Sequence, residues 1–538
     1  MNHLHPKKLN FKGWKNPQAK WGDWFETLTG KHGFIWNQTG LCDALLSSLY
    51  NFPRNPSLVL ALVQYWSPKT NTFVFPWGEA TITFEDVMIL GGFSVLGEPV
   101  TLSLSSDLLS IEAKLIEIRR SMSKNKSKKA DHNAWLKFFK EGLEAESDKL
   151  FEIEHVGFLC LWLSRFVFPS FSDSVIDPRV FPIAIHLSQG TRMALAPSVL
   201  ASIYHNLTFL KEKLVSSSVE DLNLNVNGLF QLVQQWLFER FPILGPNCPN
   251  ELKKGEPRAA RWHKLNSNHQ HASFEFILSV LESRENFRWR PYVVDLKNWC
   301  FVSHCKENEQ YVDGSNSDLA EELKCFGVCL CADELVGLDC VEKYMPYRVG
   351  MQFGMDQDVP PSEFTVLSPS YKGNFSFYVP ARCYKPCLSL EYHNWWKKSK
   401  VDDSVLLSDK NCMLDVVMIA KQYCEEEENH VSIDSVKSSL KRKSSTNEES
   451  KDKEVDSNSS IVFVGEDLAV EEGESETKRL KKNEQSFNCE FNNDAEHVEV
   501  LFMSGKGKKH VVGTCDNPLD VENYACTILG TSSYPIRL

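Results

Sequence analysis

The stretch TFVFPWGEATITFEDVMILGG, residues 72–92, decides the fold prediction because its hydrophobic period changes partway along. Residues 72–83 contain two runs of β-branched and aromatic residues around a Pro-Trp-Gly-Glu turn, the pattern of a β-hairpin. Thr83 then stands three residues before Asp86, the spacing of a capping box at a helix start. A Gly-Gly pair ends the helical pattern. The stretch therefore predicts a hairpin that leads directly into a helix beginning at Phe84.

On both sides of this stretch, apolar residues recur every three to four positions, which predicts amphipathic helices. The predicted helices are 41–52, 57–66, 108–122, 152–168, 197–214, 227–241 and 274–281. Short runs at 292–294 and 326–330 look like strands. The predicted fold class is mainly α (α+β): a compact multi-helix domain with a small β-hairpin near its N-terminal part, followed by a disordered C-terminal tail. An extended parallel sheet through residues 41–210 is not expected.

Two of the predicted helices carry large apolar side chains that are unsuited to face water. We expect the following residues to be mostly buried: Trp162, Leu163, Phe166, Trp236 and Phe238.

Composition divides the chain into four parts. Residues 1–23 are predicted to be an N-terminal extension, and residues 24–400 the folded domain. Residues 401–497 are rich in Ser, Lys, Glu and Asp with few aromatic residues, so they cannot bury enough apolar surface to offset the entropy cost of ordering. Residues 498–538 regain apolar residues and remain unassigned.

Two short basic runs stand out in the acidic tail, and exposed runs of this kind are bound by nuclear import receptors. The candidate import residues are Lys441, Arg442, Lys443, Lys478, Arg479, Lys481 and Lys482. The alternative is a charged linker that carries lysines by chance. We predict nuclear localisation.

Composition also excludes several classes of protein. The net charge of −12 argues against a general nucleic-acid coat, which would carry a basic balance. The basic first residues lack the apolar core of a secretory signal, and no apolar stretch reaches the ~18 residues of a membrane span, so no membrane partner is expected. The 16 cysteines are then expected to be reduced thiols.

Two clusters in the sequence contain potential metal ligands. The first comprises Cys325, Cys329, Cys331 and Cys340, and the second His263, His269 and His271. The Cys-x3-Cys-x-Cys spacing is not a common zinc spacing, and the histidines lie in a polar loop, so buried thiols and solvent-facing rings are the preferred interpretations. The sequence also lacks nucleophile-elbow, zinc-protease and P-loop motifs. We predict no catalytic, cofactor-binding or metal-binding residues.

Aromatic and basic residues alternate at 288–292 and 395–398, as in proteins that stack on single-stranded nucleic acid. The preferred interpretation is that these rings anchor the edge of the core while the charges face water.

Several ordered segments between about residues 24 and 396 resemble the plant mobile domain, a family found in plant genes and inside plant transposable elements. The matching segments are 70–83, 85–93, 158–170, 194–200, 235–242, 256–262, 351–360 and 392–396. The resemblance specifies a family and no reaction. The "aminotransferase-like" label attached to this family implies pyridoxal phosphate, yet no lysine here has the expected setting and the opening helices lack a βαβ pattern. We therefore expect no cofactor.

The resemblance implies a nuclear role in gene-expression control, transposable-element silencing and meristem maintenance. It also implies nuclear protein partners, including a phosphoprotein-phosphatase-like protein, which must be a separate chain because no metallophosphatase motif occurs here. Three hypotheses follow: a non-enzymatic protein-interaction factor, a nucleic-acid-binding protein of transposon origin, and a pyridoxal-phosphate aminotransferase, which is disfavoured.

Overall fold

The computed structural model describes residues 8–123, 129–141, 148–169, 174–216, 223–267, 273–299, 306–314, 316, 318–362, 376–403, 497–503 and 508–514. The chain divides into two compact units, Met1–Leu440 and Lys441–Leu538.

The first unit begins with strand β1 (Lys8–Phe11), followed by the helices α1 (Trp21–Thr39), α2 (Cys42–Ser47) and α3 (Pro56–Val63). Within the segment interpreted from sequence as an extension, Trp14 and Trp21 are completely buried. Residues from β1 onward therefore contribute to the same hydrophobic core as the helices that follow.

The predicted hairpin and helix are present and confirmed. Strands β2 (Trp66–Ser67), β3 (Thr72–Phe75) and β4 (Gly78–Ala80) form a three-stranded antiparallel sheet, and α4 (Phe84–Gly91) follows with its predicted capping box. The second strand of the hairpin ends at Ala80 instead of Thr83. The cause is a side chain: the Thr81 N–H donates to Gln352 Oε1 (2.8 Å), and Gln352 Nε2 donates to the Thr81 carbonyl (2.8 Å).

The remaining predicted helices are also observed, with ends that shift by a few residues, as is usual. The elements that follow α4, predicted or not, are in chain order α5 (Leu109–Ser123), α6 (His132–Glu141), α7 (Asp148–Trp162), α8 (Phe181–Ser188), α9 (Leu195–Ser216), β5 (Asn223–Val226), α10 (Phe230–Arg240) and α11 (Phe274–Glu282). α7 continues into a π-helical turn, Leu163–Val167, and β5 pairs in parallel with β1. α1, α6, α8 and the later helix Leu390–Asp403 were not predicted from the sequence.

Both strand-like runs after residue 290 were predicted wrongly. Residues 326–330 lie mostly in helix α12 (Glu321–Cys329), whose first turn carries two glutamates that favour a helix N-terminus. Pro291–Val293 is a 3-10 turn with the proline at its first position, where a missing N–H costs nothing. A short apolar run does not reveal its period, which explains both errors.

The rest of the first unit contains small sheets and one terminal helix. The strands are β6 (Gln310–Asp313), β7 (Asp333–Val336), β8 (Val341–Tyr344) and β9 (Ser376–Val379), followed by α13 (Leu390–Asp403). β6 pairs with β9 and β7 with β8, both antiparallel. The mainly helical fold class with a small hairpin is thus confirmed.

The predicted core residues are buried: Trp162, Leu163 and Trp236 are 0% exposed, and Phe166 and Phe238 are at most 5% exposed. None of the described helices is long and apolar enough to cross a membrane.

The second unit contributes one antiparallel hairpin, β10 (His497–Met503) and β11 (Lys508–Thr514). Of the predicted tail at 401–497, residues 404–496, which include all seven candidate import residues, lie outside the described residues.

The capping box of α4 yields a first prediction. Thr83 is completely buried, and its hydroxyl accepts the Asp86 N–H (3.4 Å) and donates to Asp86 Oδ2 (2.8 Å). Thr83→Ala should lower the free energy of unfolding by about 1–2 kcal/mol, because it removes a helix cap. Thr83→Ser keeps the hydroxyl and should lose clearly less. Equal losses in urea unfolding of the two variants would show that methyl packing, and not the cap, is responsible.

Candidate functional site

A buried carboxylate at the start of α4 connects several distant segments. Asp86 Oδ1 accepts hydrogen bonds from Arg240 Nη2 (2.8 Å) and Tyr292 Oη (2.7 Å). Its Oδ2 accepts from the Thr83 N–H and hydroxyl, both at 2.8 Å. The side chains of Asp86 and Arg240 are both 0% exposed. Four donors therefore satisfy this carboxylate completely, as a buried charge requires.

Arg240 and the nearby Arg258 are both fixed by ion pairs and by contacts with aromatic rings or backbone carbonyls. Arg240 also donates to the carbonyl of Trp289, and its guanidinium lies 5.5 Å from the centre of the Tyr292 ring. Arg258 makes a bidentate ion pair with Glu239 (2.9 and 2.8 Å), and its guanidinium lies 5.0 Å from the centre of the same Tyr292 ring. We call Asp86, Glu239, Arg240, Arg258 and Tyr292 the polar centre. It joins α4, α10 and the turns at 258–262 and 291–293.

A second buried pair lies at the β-sheet. Glu79 on β4 accepts two hydrogen bonds from Arg348 (2.8 and 2.6 Å), and the neighbouring Thr81 pairs with Gln352 as described above. Both contacts fix the hairpin to the 3-10 turn Pro346–Phe353.

The polar centre is built from the segments that carry the family resemblance. Segments 85–93, 235–242 and 256–262 supply Asp86, the Glu239–Arg240 pair and Arg258. Sequence reasoning missed these contacts. One feature of the sequence could have suggested them: Glu239 and Arg240 are adjacent on a predicted helix. Side chains of adjacent helical residues point in different directions, so the two charges need different partners.

On α4, the adjacent acids Glu85 and Asp86 also have different environments. Burial raises the pKa of Glu85 to about 7, with Asp86 adding to the increase while Arg240 and Arg290 oppose it. Glu85 is thus a buried carboxyl that titrates near neutral pH beside a fully paired carboxylate.

This shift predicts a pH dependence of stability. Since the folded-state pKa of about 7 exceeds the ordinary 4.5, the stability contribution of protonated Glu85 is present below pH 4.5 and is lost as pH rises through 7. Glu85→Gln stays neutral, so it should exceed wild type by up to about 3 kcal/mol at about pH 8, and by under about 1 kcal/mol at about pH 5. Urea unfolding at both pH values measures this. A gain that does not change with pH would contradict the raised pKa.

A cavity in the helical interior leaves little space for a ligand. That cavity has a volume of about 30 Å³ and lies between α2, α4 and α10, with Ser47, Phe93 and Gln231 in its wall. Such a volume suits about one water molecule, whereas small-molecule pockets occupy roughly 300–1,000 Å³.

The candidate metal ligands do not assemble in the described part of the chain, where no group of three or more His, Cys, Asp or Glu residues is placed to hold a metal. Cys325 and Cys329 are buried on α12, and burial raises the pKa of the Cys325 and Cys331 thiols to about 11. Cys340 is partly buried at the β7–β8 turn. His263 Nδ1 accepts the Asn51 N–H (2.9 Å), while residues 269 and 271 lie outside the described residues.

In the polar centre, Asp86 pairs with Arg240 and Glu239 with Arg258, so these buried ion pairs hold the helical domain together. Comparison with known families places this domain. The chain matches the plant mobile domain over residues 40–397, and it belongs to that family.

The chain is also similar in sequence to several proteins from Arabidopsis thaliana. The chain is 25% identical over 319 residues to a serine/threonine-protein phosphatase 7 long form homolog, which covers 56% of this chain and 22% of the relative. It is 24% identical over 342 residues to Protein MAINTENANCE OF MERISTEMS (62% of each chain) and 24% over 311 residues to Protein MAIN-LIKE 2 (57% and 42%). The chain thus spans between 22% and 62% of the length of these relatives. No solved structure matches it.

Proposed function

We propose that the chain is a non-enzymatic nuclear protein-interaction factor that acts in gene-expression control, transposable-element silencing and meristem maintenance. The observation that carries the proposal is the polar centre. Asp86 and Arg240, the most deeply buried charges, are paired with each other and not directed into a cleft. Arg258 and Glu239 are paired in the same way at 1% and 4% side-chain exposure. Charges arranged like this stabilise a scaffold, which leaves recognition to its surface.

The comparisons support a role that depends on partners. The same domain occurs in relatives named for meristem maintenance and in one named as a phosphatase homolog, where the match covers only 22% of the relative. A domain that accompanies a phosphatase in one chain is well suited to associate with one in trans. We therefore propose nuclear protein partners that include a phosphoprotein-phosphatase-like protein. Nuclear entry through the runs at 441–443 and 478–482 is part of the proposal.

The two alternatives have less support. In the aromatic and basic segment 288–292, Tyr292 belongs to the polar centre, and Arg290 donates to the carbonyls of Ala381 (3.0 Å) and Arg382 (3.1 Å). Trp289 packs edge-on against Phe287 at 4.8 Å. These groups serve the core and not a nucleic-acid platform. Every lysine whose exposure the structure describes is at least partly exposed, whereas a pyridoxal-phosphate site would place one inside an enclosed pocket.

Affinity purification of the full chain from plant nuclei, followed by mass spectrometry, tests the proposal. We expect enrichment of a reproducible set of nuclear proteins that includes a phosphatase-like chain. An absorbance scan of the purified protein distinguishes the aminotransferase alternative, because bound pyridoxal phosphate absorbs in the near-visible range. A cofactor band, or the same nuclear proteins captured by an unrelated control chain, would contradict the interaction role.

A further inference from the structure

Two arginines near the C-terminal end of α10 differ from the paired arginines of the domain. Arg258 and Arg348 each hold a carboxylate at 2.8 Å or less. Arg261 and Arg288 make no ion pair and no side-chain hydrogen bond with any residue in the described part of the chain. Arg261 is half-buried and Arg288 is exposed. We call these two residues the arginine pair.

The fold brings the arginine pair together through the polar centre. Arg261 follows Arg258 by one turn of the 3-10 helix Arg258–Trp262, and Arg258 is bound to Glu239 on α10. Arg288 donates its backbone N–H to the carbonyl of Arg240, the residue next to Glu239 (2.7 Å). The two segments therefore attach to adjacent residues of α10, Glu239 and Arg240, and each segment carries one member of the arginine pair.

Electrostatics and packing agree with this proximity. Burial lowers the pKa of Arg261, and the nearby charges of Arg258 and Arg288 lower it further against the opposing effect of Glu239. The Arg261 guanidinium lies 5.0 Å from the ring centre of Trp262. Stacking on an aromatic ring occupies the face of a guanidinium and leaves its N–H edge free to donate.

We propose that Arg261 and Arg288 bind a phosphate group carried by a phosphorylated protein partner. Two guanidinium forks match the geometry and charge of one dianionic phosphate. A nucleic-acid backbone instead needs cations that follow successive phosphates, and the chain as a whole carries a net charge of −12. Two cations on an acidic protein match the charge of a single dianion better than that of a polyanion. The inference rests on the proposed interaction role and specifies the chemistry of its partner.

Fluorescence anisotropy of the full chain tests this site with three probes: a degenerate phosphothreonine peptide pool, its unphosphorylated counterpart and a single-stranded DNA oligonucleotide. The variant Arg261→Gln/Arg288→Gln removes both cations. The control Lys69→Gln/Lys114→Gln removes the same charge from two exposed lysines. We expect the wild type and the control to prefer the phosphorylated pool, and the arginine variant to bind it at least about tenfold more weakly.

A third variant, Arg261→Lys/Arg288→Lys, keeps the charge without the planar fork and should show a partial loss. If the Gln variant does not fold, the comparison of this Lys variant with the wild type tests the site instead. Equal binding of both peptide pools, or unchanged binding by the Gln variant, would overturn the proposal. Arginine-dependent binding of DNA in preference to the phosphopeptides would overturn it too, and would identify a nucleic acid as the ligand. Each of these failures leaves the partner set purified from nuclei unaffected, so it can be told apart from failure of the interaction role.

Discussion

Arg240→Met is expected to lower the free energy of unfolding by about 3–5 kcal/mol, because it leaves the Asp86 carboxylate buried without its ionic partner. Both side chains are 0% exposed and joined at 2.8 Å, so water cannot replace the lost partner without opening the core. Asp86→Asn/Arg240→Met removes both charges together while retaining a side-chain acceptor at position 86. That double variant should recover much of the loss, since replacing a whole buried pair is often nearly neutral. Urea unfolding of wild type, Asp86→Asn, Arg240→Met and the double variant measures the coupling between the two positions.

An exposed ion pair provides the control. Lys297 and Glu251 are also joined at 2.8 Å, but their side chains are 70% and 74% exposed. Lys297→Met should leave the unfolding midpoint within experimental error, because water screens the pair. If Arg240→Met were equally harmless, the polar centre would not stabilise the fold.

Replacing all seven basic residues of the two tail runs by Ala is expected to move a fluorescent fusion of the protein from the nucleus to the cytoplasm. The residues are Lys441, Arg442, Lys443, Lys478, Arg479, Lys481 and Lys482. Import receptors bind such runs through their positive charge, and a chain of 61.5 kDa is too large for efficient passive entry. Confocal imaging in plant cells measures the nuclear fraction.

Variants of one run at a time should lose only part of the nuclear signal, because either run suffices for some import. The purified seven-residue variant should keep the wild-type thermal midpoint, which shows that the folded domain is unchanged. Undiminished nuclear accumulation in that variant would refute the import assignment and direct attention to the basic residues at 124–129 or to a partner that carries the chain.

Local patterns in the sequence were sufficient for most of the secondary structure. The change of period at 72–92 predicted both the hairpin and the capped helix α4, since Thr83 and Asp86 interact across three residues. Long amphipathic segments such as α9 were equally clear. The strand-like interpretation of 326–330 failed because five apolar residues fit a strand and a buried helix equally well.

The polar centre could not be predicted because its contacts are non-local. Asp86 and Arg240 are 154 residues apart in the chain, and Tyr292 is 206 residues from Asp86. Nothing in the neighbourhood of Asp86 distinguishes a capping acid from one half of a buried ion pair. The family resemblance identified the segments that supply the polar centre but not the contacts between them. Only the folded structure shows that Arg240 pairs with Asp86 while the adjacent Glu239 pairs with Arg258.

The central claim is that the polar centre serves the fold while the surface of the domain recognises nuclear partners. Its most direct test compares the nuclear proteins captured by wild type with those captured by Asp86→Asn/Arg240→Met, both purified from plant nuclei and analysed by quantitative mass spectrometry. Circular dichroism first establishes that the double variant is folded. The account predicts the same partner set at similar abundance. A folded double variant that has lost those partners would contradict it, because the buried charges would then take part in the function itself.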